Sequence, residues 1–278
     1  MKKLFALLLA VMMLATLVAC NDGDDLEKED LKNYLDTDEF VNFETLASGE
    51  TFWFELIDSE TITITKYKGD NEPHALVIPE TLGEKTVTEI ATGAFKDCAS
   101  ITSITLPATL EKIDAFAFVG CTRLEGVAIP AGVTAIGNSA FYGCSALKTL
   151  SFAEDVQISK INANAFTNCT SLEAVVIPAS VRTIELGAFY GCTKLASVTV
   201  SEGVEVIEKQ AFQNCNALAE LVLPSTITEL GDFLFNSLGE SNLYADGVTY
   251  PSDNEVIEAY FAKEEYRLEA APAPAPAA

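Results

Sequence analysis

The apolar positions of this 278-residue chain return on a period near 23. One full period runs Leu124-Glu125-Gly126-Val127-Ala128-Ile129-Pro130-Ala131-Gly132-Val133-Thr134-Ala135-Ile136, then Gly137-Asn138-Ser139-Ala140-Phe141-Tyr142-Gly143-Cys144. Val127 and Ile129 alternate with small residues at period two, which predicts a short strand with one face inward. Pro130 ends it, because proline has no N–H for a ladder; Pro79, Pro107, Pro178 and Pro224 stand at the same phase. Val133 and Ile136 form a second inward pair. Ala140, Phe141, Cys144 and Leu147 then fall at i, i+1, i+4 and i+7, which predicts a helical or 3-10 turn with its apolar stripe toward the core.

The period is marked by paired columns. Cys98, Cys121, Cys144, Cys169, Cys192 and Cys215 are separated by 23, 23, 25, 23 and 23 residues. Three residues before each stands a phenylalanine: Phe95, Phe118, Phe141, Phe166, Phe189 and Phe212. Phe235 continues the series, but Leu238 takes the cysteine position and Leu234 that of the preceding alanine. A unit with a single apolar side cannot cover it alone, so the units stack in register. The expected fold class is an α/β repeat solenoid of seven turns over residues 75–238, with short parallel strands ~4.8 Å apart. One turn departs from the pattern: Phe152-Ala153-Glu154-Asp155-Val156-Gln157-Ile158 carries two extra residues and no proline, so Glu154 and Asp155 should bulge at its rim.

Such a stack exposes apolar ends unless they are covered. Residues 51–74 read as a hairpin cap, Thr51-Phe52-Trp53-Phe54-Glu55-Leu56 and Thr61-Ile62-Thr63-Ile64-Thr65 alternating around Asp58-Ser59-Glu60. Trp53 is assigned to the packing of that cap. Residues 239–269 read as the closing cap. There Ser252-Asp253-Asn254-Glu255 gives a capping-box sequence ahead of a helix bearing Val256, Ile257, Tyr260 and Phe261 on one face. Residues 20–50 read as an acidic tether and 270–278 as an extended Ala-Pro tail. Met1-Lys2-Lys3 and a short apolar run through Leu17 fit a signal peptide over residues 1–19.

The consensus Leu-x-x-Val-x-Ile-Pro-x-x-Val-x-x-Ile-Gly-x-x-Ala-Phe-x-x-Cys-x-x-Leu resembles the BspA-like leucine-rich repeats of bacterial surface proteins. That resemblance implies a right-handed stack and binding of a host, matrix or neighbouring-cell protein. Leu17-Val18-Ala19-Cys20, followed by Asn21-Asp22-Gly23-Asp24-Asp25, resembles the lipobox of bacterial lipoproteins. It implies cleavage before Cys20, diacylglycerol on its sulfur, and an extracytoplasmic place on the envelope membrane, probed from the surface by the repeat body. Two acyl chains hold where one is marginal.

Charge narrows the function classes. The formal net charge of −24 excludes a sequence-independent grip on nucleic acid. Residues 21–60 carry 14 acids against Lys28 and Lys32, a net of −12, so half the charge lies outside the main repeats. The only histidine, His74, would have to serve any Cys-His or Ser-His-Asp site, and a multi-histidine metal site cannot be built. No metal or cofactor other than the Cys20 lipid is expected.

Of the readings open to the six periodic cysteines (disulfides, a metal framework, a nucleophile, or buried thiols behaving as small hydrophobes), buried free thiols are favoured. Neighbouring Cα atoms ~4.8 Å apart permit a bridge, but parallel side chains keep the Cβ atoms wider than the ~3.8 Å a disulfide prefers. The candidate binding surface is the concave strand face, with Thr105, Ala128, Ser151, Val176, Thr199 and Val222 in one row. Tyr142 and Tyr190 either contact a partner or cover their turns, and the Glu154-Asp155 bulge is a further candidate. Fold alone fixes no function. Three functions stay open: an interaction or adhesion module, a structural envelope component without a specific ligand, and, for want of any catalytic constellation least favoured, an enzyme.

Overall fold

The computed structural model describes residues 42–235 and 247–263. Leu17, Val18, Ala19, Cys20, most of the tether, Leu238 and the Ala-Pro tail lie outside the described residues.

Strands β1 (Asn42–Thr45), β2 (Thr51–Leu56) and β3 (Thr61–Lys68) form an antiparallel meander. Numbering follows the chain from there. One side of the solenoid is built from β4 (His74–Val77), β7 (Ile101–Thr105), β9 (Gly126–Ile129), β11 (Thr149–Phe152), β13 (Ala174–Ile177), β15 (Ser197–Val200), β17 (Glu220–Val222) and β19 (Val248–Thr249). β4 pairs with β7, and β9 to β19 form a six-stranded parallel sheet. Each pairing advances one repeat, as in Leu150 opposite Val127 and Ser151 opposite Ala128. Val127 and Ile129 point inward and are buried, while Ala128 between them is exposed. The stack therefore has eight layers on this side rather than seven, because β19 adds a layer by pairing parallel to β17.

The second side consists of shorter strands. β5 (Thr81–Leu82) pairs antiparallel with β6 (Lys85–Ile90), and β6 runs parallel to β3, β8 (Lys112–Ile113) and on to β10 (Ala135–Ile136). β12 (Lys160–Ile161), β14 (Thr183–Ile184), β16 (Val206–Ile207) and β18 (Glu229–Leu230) form a separate parallel sheet.

The Ala-Phe-x-x-Cys segments make the third side, and they are not helical. Ala140, Tyr142 and Cys144 donate their N–H groups three residues back, to Gly137, Ser139 and Phe141. Ser139, Phe141 and Gly143 instead donate to Ala163, Ala165 and Thr167 of the next coil at 2.8–3.0 Å. A continuing α-helix would instead pair successive N–H groups with carbonyls four residues back. Left-handed residues at Ser139 (φ 55°) and Gly143 (φ 72°) turn alternate N–H groups outward along the stack. The second of these positions holds Asp97, Gly120, Gly143, Asn168, Gly191 and Asn214, the residue types that tolerate that conformation. Gly120 has a further reason: a Cβ there would stand 2.2 Å from Asp97 Oδ1.

Two columns run the length of the core beside the inward Leu, Ile and Val of the strands. Phe95, Phe118, Phe141, Phe166, Phe189 and Phe212 stack at 5.0–5.4 Å between centroids with rings within 15° of parallel. Tyr67 extends the column at one end, Phe235 and Phe261 at the other. Beside it, the thiols of Cys121, Cys144, Cys169, Cys192 and Cys215 donate to the carbonyls of Phe95, Phe118, Phe141, Phe166 and Phe189 at 3.1–3.3 Å. All six periodic cysteines are free. The ladder begins imperfectly: Cys98, expected in the core, is only partly buried. The layer before it is the meander, which has no Phe-x-x-Cys turn to cover its sulfur.

Both ends differ from the sequence reading in detail. Within residues 20–50, expected to be tether, β1 forms a paired strand, Phe43 opposite Trp53. Four mostly polar residues carry no readable alternation; pairing to β2 makes them a strand. Trp53 is on the outer face of the meander, and the buried cap residues are its neighbours Phe52 and Phe54. At the other end the helix runs Glu255–Ala262, with Ile257 and Tyr260 buried over the last coil. Its N-cap is Asn254, accepting from the N–H groups of Val256 and Ile257, so the Ser252 capping box does not form. Asn254 is held there because its Nδ2 also donates to the carbonyls of Ser225 (3.1 Å) and Ile227 (2.9 Å) in the preceding coil.

Candidate functional site

The stacked register lays one outward residue per coil along the strand face. Val77 opposes Thr105, Ala128 opposes Ser151, and Val176, Thr199, Val222 and Thr249 oppose one another in turn, so three registered segments share one phase. Parallel strands repeat every ~4.8 Å, so this row is a ruler of small side chains. Thr105, Ala128 and Ser151 are exposed and Thr199 is half-buried. Val77 (61%) and Val176 (60%) are the most exposed apolar members, and Val77 was not anticipated because its strand precedes the first full repeat. The neighbouring outward row carries Ser103, Thr149, Ala174, Ser197 and Glu220. Together they present methyl groups and hydroxyls with little charge.

Glu154 and Asp155 are exposed immediately beyond β11, so the bulge borders the row at Ser151. The inserted residues seat Val156 in the core at 2% exposure, which anchors the loop. Val156 donates its N–H to Ala153, and Gln157 Nε2 donates to the Asp155 carbonyl at 2.7 Å.

Tyr142 and Tyr190 belong to the third side, apart from the strand row. Their hydroxyls accept from Asn168 Nδ2 (3.3 Å) and Asn214 Nδ2 (2.7 Å) of the following coil. Each ring thus covers its turn and ties it to a neighbour. Two exposed aromatics on this side escaped the sequence reading, Phe116 (φ 58°) and Phe233 (φ 54°). Both occupy the first left-handed position, where a bulky residue is strained. The signal was present in their shared phase, two residues before Phe118 and Phe235.

A cleft of about 490 Å³ opens where the meander meets the first repeat, lined by Tyr67, Lys68, Asp70, Asp97, Cys98 and Arg123 among others. Cys98, the partly buried thiol, lines this cleft, and His74 binds the hydroxyl of Tyr67, another of its lining residues. His74 and Cys98 do not form a nucleophilic pair. His74 Nδ1 lies 2.8 Å from the Glu72 carbonyl and therefore carries the proton, while Nε2 accepts from the Tyr67 hydroxyl at 2.8 Å. Burial, aided by Asp97, pushes the Cys98 thiol up to about 11, the opposite of activation. Deeper in the ladder, burial raises Cys144 to about 12 and Cys121, Cys169 and Cys192 well above the usual thiol range. Among the described residues no cluster of three or more His, Cys, Asp and Glu could hold a metal ion.

Comparison with known proteins agrees with this architecture. No curated relative matches the chain in sequence. Among solved structures, a T. pallidum leucine-rich-repeat protein is 30% identical, with a TM-score of 0.63 over 79% of this chain and 97% of its own. A leucine-rich-repeat protein from Eubacterium ventriosum is 27% identical, with a TM-score of 0.53 over 63% of this chain and 48% of its own. The family described as BspA type leucine rich repeat region matches in six copies across residues 76–160 and 159–261. With the Phe and Cys columns, the parallel coils and that match in agreement over most of its length, this chain belongs to the BspA-type leucine-rich-repeat family.

Proposed function

We propose that the chain is a lipid-anchored, extracytoplasmic interaction module that holds a protein partner along the outward strand row. The carrying observation is the row itself: Thr105, Ala128, Ser151 and Val176 stand at one phase of successive coils, Ala128 directly opposite Ser151, all exposed, small and uncharged. Small side chains let an extended partner approach the strands closely, and hydroxyls at regular spacing offer hydrogen bonds. Leucine-rich-repeat membership supports a protein-interaction role and a non-catalytic one. The lipobox-like sequence at Leu17, Val18, Ala19 and Cys20 supports attachment by diacylglycerol. Host, matrix and neighbouring-cell proteins are the partner classes an envelope-tethered repeat surface would meet.

A second reading, a structural envelope component, is favoured by one observation. The row lacks the Tyr, Trp and Arg side chains that dominate binding energy at most interfaces. A protein and glycan array with the chain from residue 21 onward separates the two. Saturable binding that is lost in Ser151→Arg, with unchanged thermal unfolding, supports the interaction module. Binding unaffected by Ser151→Arg and Thr199→Arg removes the row from the mechanism, and silence across the array favours the structural role.

A further inference from the structure

The N-terminal meander carries a second surface, unrelated to the strand row. Its inward residues, Phe52 (0%) and Phe54 (7%), close the solenoid. Its outward face carries polar residues such as Thr51 and Glu55, but among them stand two aromatics, Phe43 and Trp53. Phe43 is 44% exposed and packs against Trp53 at 6.3 Å, and Lys66 lies 5.4 Å over the Trp53 ring. The three occupy one register line, Phe43 opposite Trp53 and Trp53 opposite Lys66. At the hairpin tip Leu56 (57%) and Ile57 (46%) overhang the core and face solvent. Leu56 keeps the inward phase of Phe52 and Phe54, but no coil lies beneath it.

Position tells what this corner meets. Asn42 opposes Phe54, so the chain arriving from the amino terminus reaches the body beside Glu55 and Leu56, at the same corner. Cys20 and Asn42 are 42 − 20 = 22 residues apart, which limits the path between them to about 80 Å when fully extended. Of the whole body, this corner has the shortest path to an anchor on Cys20. We infer that the Phe43–Trp53–Lys66 line and the Leu56-Ile57 tip rest in the head-group region of the bilayer that carries the Cys20 lipid. This inference rests on the lipid-anchor reading.

The chemistry suits that depth. Tryptophan with apolar neighbours settles at the membrane–water interface, and a lysine beside it extends its ammonium to the phosphates. Asp58, Glu55 and Glu60 around the tip oppose deeper insertion. Asp58 is fixed in place by accepting from the N–H groups of Glu60 and Thr61 at 2.8 Å each, so the tip keeps its charge at the edge of the patch. Few residues are involved, and free affinity for a bilayer would be weak. Anchoring turns the contact into an intramolecular one, where weak affinity suffices.

Trp53 is the single tryptophan of the chain, so its fluorescence reports on this surface alone. The lipidated protein is placed in phosphatidylcholine vesicles, with and without lipids brominated near the head group, and compared with the unlipidated chain in buffer. The expected result is a blue-shifted emission in vesicles, about twofold quenching by the brominated lipids, and loss of both in Phe43→Ser/Leu56→Ser/Ile57→Ser with unchanged circular dichroism. Mass analysis showing no diacylglycerol on Cys20 overturns the anchor and this inference together. Lipid on Cys20 with unshifted, unquenched Trp53 overturns this inference and leaves the anchor standing. A shift produced by soluble oligosaccharide, or by self-association without vesicles, assigns the surface to that occupant instead and overturns the membrane contact.

Discussion

Raising the pH should unfold this protein through its thiol ladder. Cys121, Cys144, Cys169 and Cys192 are buried, each donates Sγ–H to a phenylalanine carbonyl, and each has its pKa raised chiefly by burial. Unfolded, a thiol titrates near ~8.5. A raised folded pKa means the contribution is complete below that value and is lost as pH rises above it. Between about pH 9 and 11 each of these four thiols is ionised in the unfolded chain and protonated in the folded one. Each thiol in that condition lowers stability by about 1 kcal/mol per pH unit, so the four act together as a steep loss with rising pH. At pH 10 each thiol costs on the order of 2 kcal/mol, a sizeable share of the ~5–15 kcal/mol net stability of a domain, so unfolding should set in on the alkaline side. Tyr67, also raised by burial, and Lys112, raised by its bond to Asp114, add slope in the same direction. Denaturant titrations from pH 7 to 10.5 on the parent and on Cys144→Ala separate these sources. The variant should lose about 1 kcal/mol per pH unit of slope. Equal slopes in the two proteins, or thiolate absorbance at 240 nm growing while circular dichroism is unchanged, would refute the reasoning.

Other consequences follow from single contacts. Phe166→Ala removes a fully buried ring stacked 5.3 Å from both Phe141 and Phe189 and should cost about 3–5 kcal/mol by chemical denaturation. Phe235→Ala, at 8% exposure near the column's end, should cost visibly less, and equal costs would deny the column its role. Asn254→Ala removes the helix N-cap and frees the carbonyls of Ser225 and Ile227. A loss of about 1–2 kcal/mol is expected, whereas Ser252→Ala should stay within ~0.5 kcal/mol. Iodoacetamide should alkylate Cys98 first among the six ladder cysteines under native conditions, faster as pH approaches 11, with the other five reacting only on unfolding. Mass spectrometry of peptides reads the order directly.

The repeat was legible because its signals are strong and local in phase. A proline that ends each strand, a Phe and a Cys three apart, and an apolar alternation of two all recur at one spacing, and stacking is the arrangement that buries them together. The strand row was legible for the same reason: once Val127 points inward, Ala128 must point out. The misreadings lie where a residue's partner comes from outside its repeat. Helical spacing at Ala140, Phe141 and Cys144 gave no hint that alternate N–H groups would leave the segment, since that depends on the next coil. Asn254 outcompetes Ser252 as a cap because it also reaches Ser225 and Ile227, far back in sequence. Trp53 belongs to the packing of the cap, but the alternation alone does not say which face of the meander is covered, and it is Phe52 and Phe54 that lie inward.

What keeps the coils in register is visible at the one place where the repeat length changes. The two extra residues between Phe152 and Ile158 fall between the strand sides, and both ladders give way at that boundary. β10 ends one sheet and β12 begins another, while β11 and β13 share only the pair Thr149–Ala174, against four between β13 and β15. The third side continues without a break. Phe141 and Phe166 stack at 5.3 Å and 6°, Cys169 donates to the Phe141 carbonyl at 3.3 Å, and Ser139, Phe141 and Gly143 keep their bonds to the next coil. A strand ladder needs every coil to have the same length up to that strand, whereas Ile158 and Ile161 restore the phase before Phe166 is reached. Register therefore passes along the aromatic and thiol columns, and the sheets follow it. The cysteines serve that role as protonated donors to the phenylalanine carbonyls of the neighbouring coil.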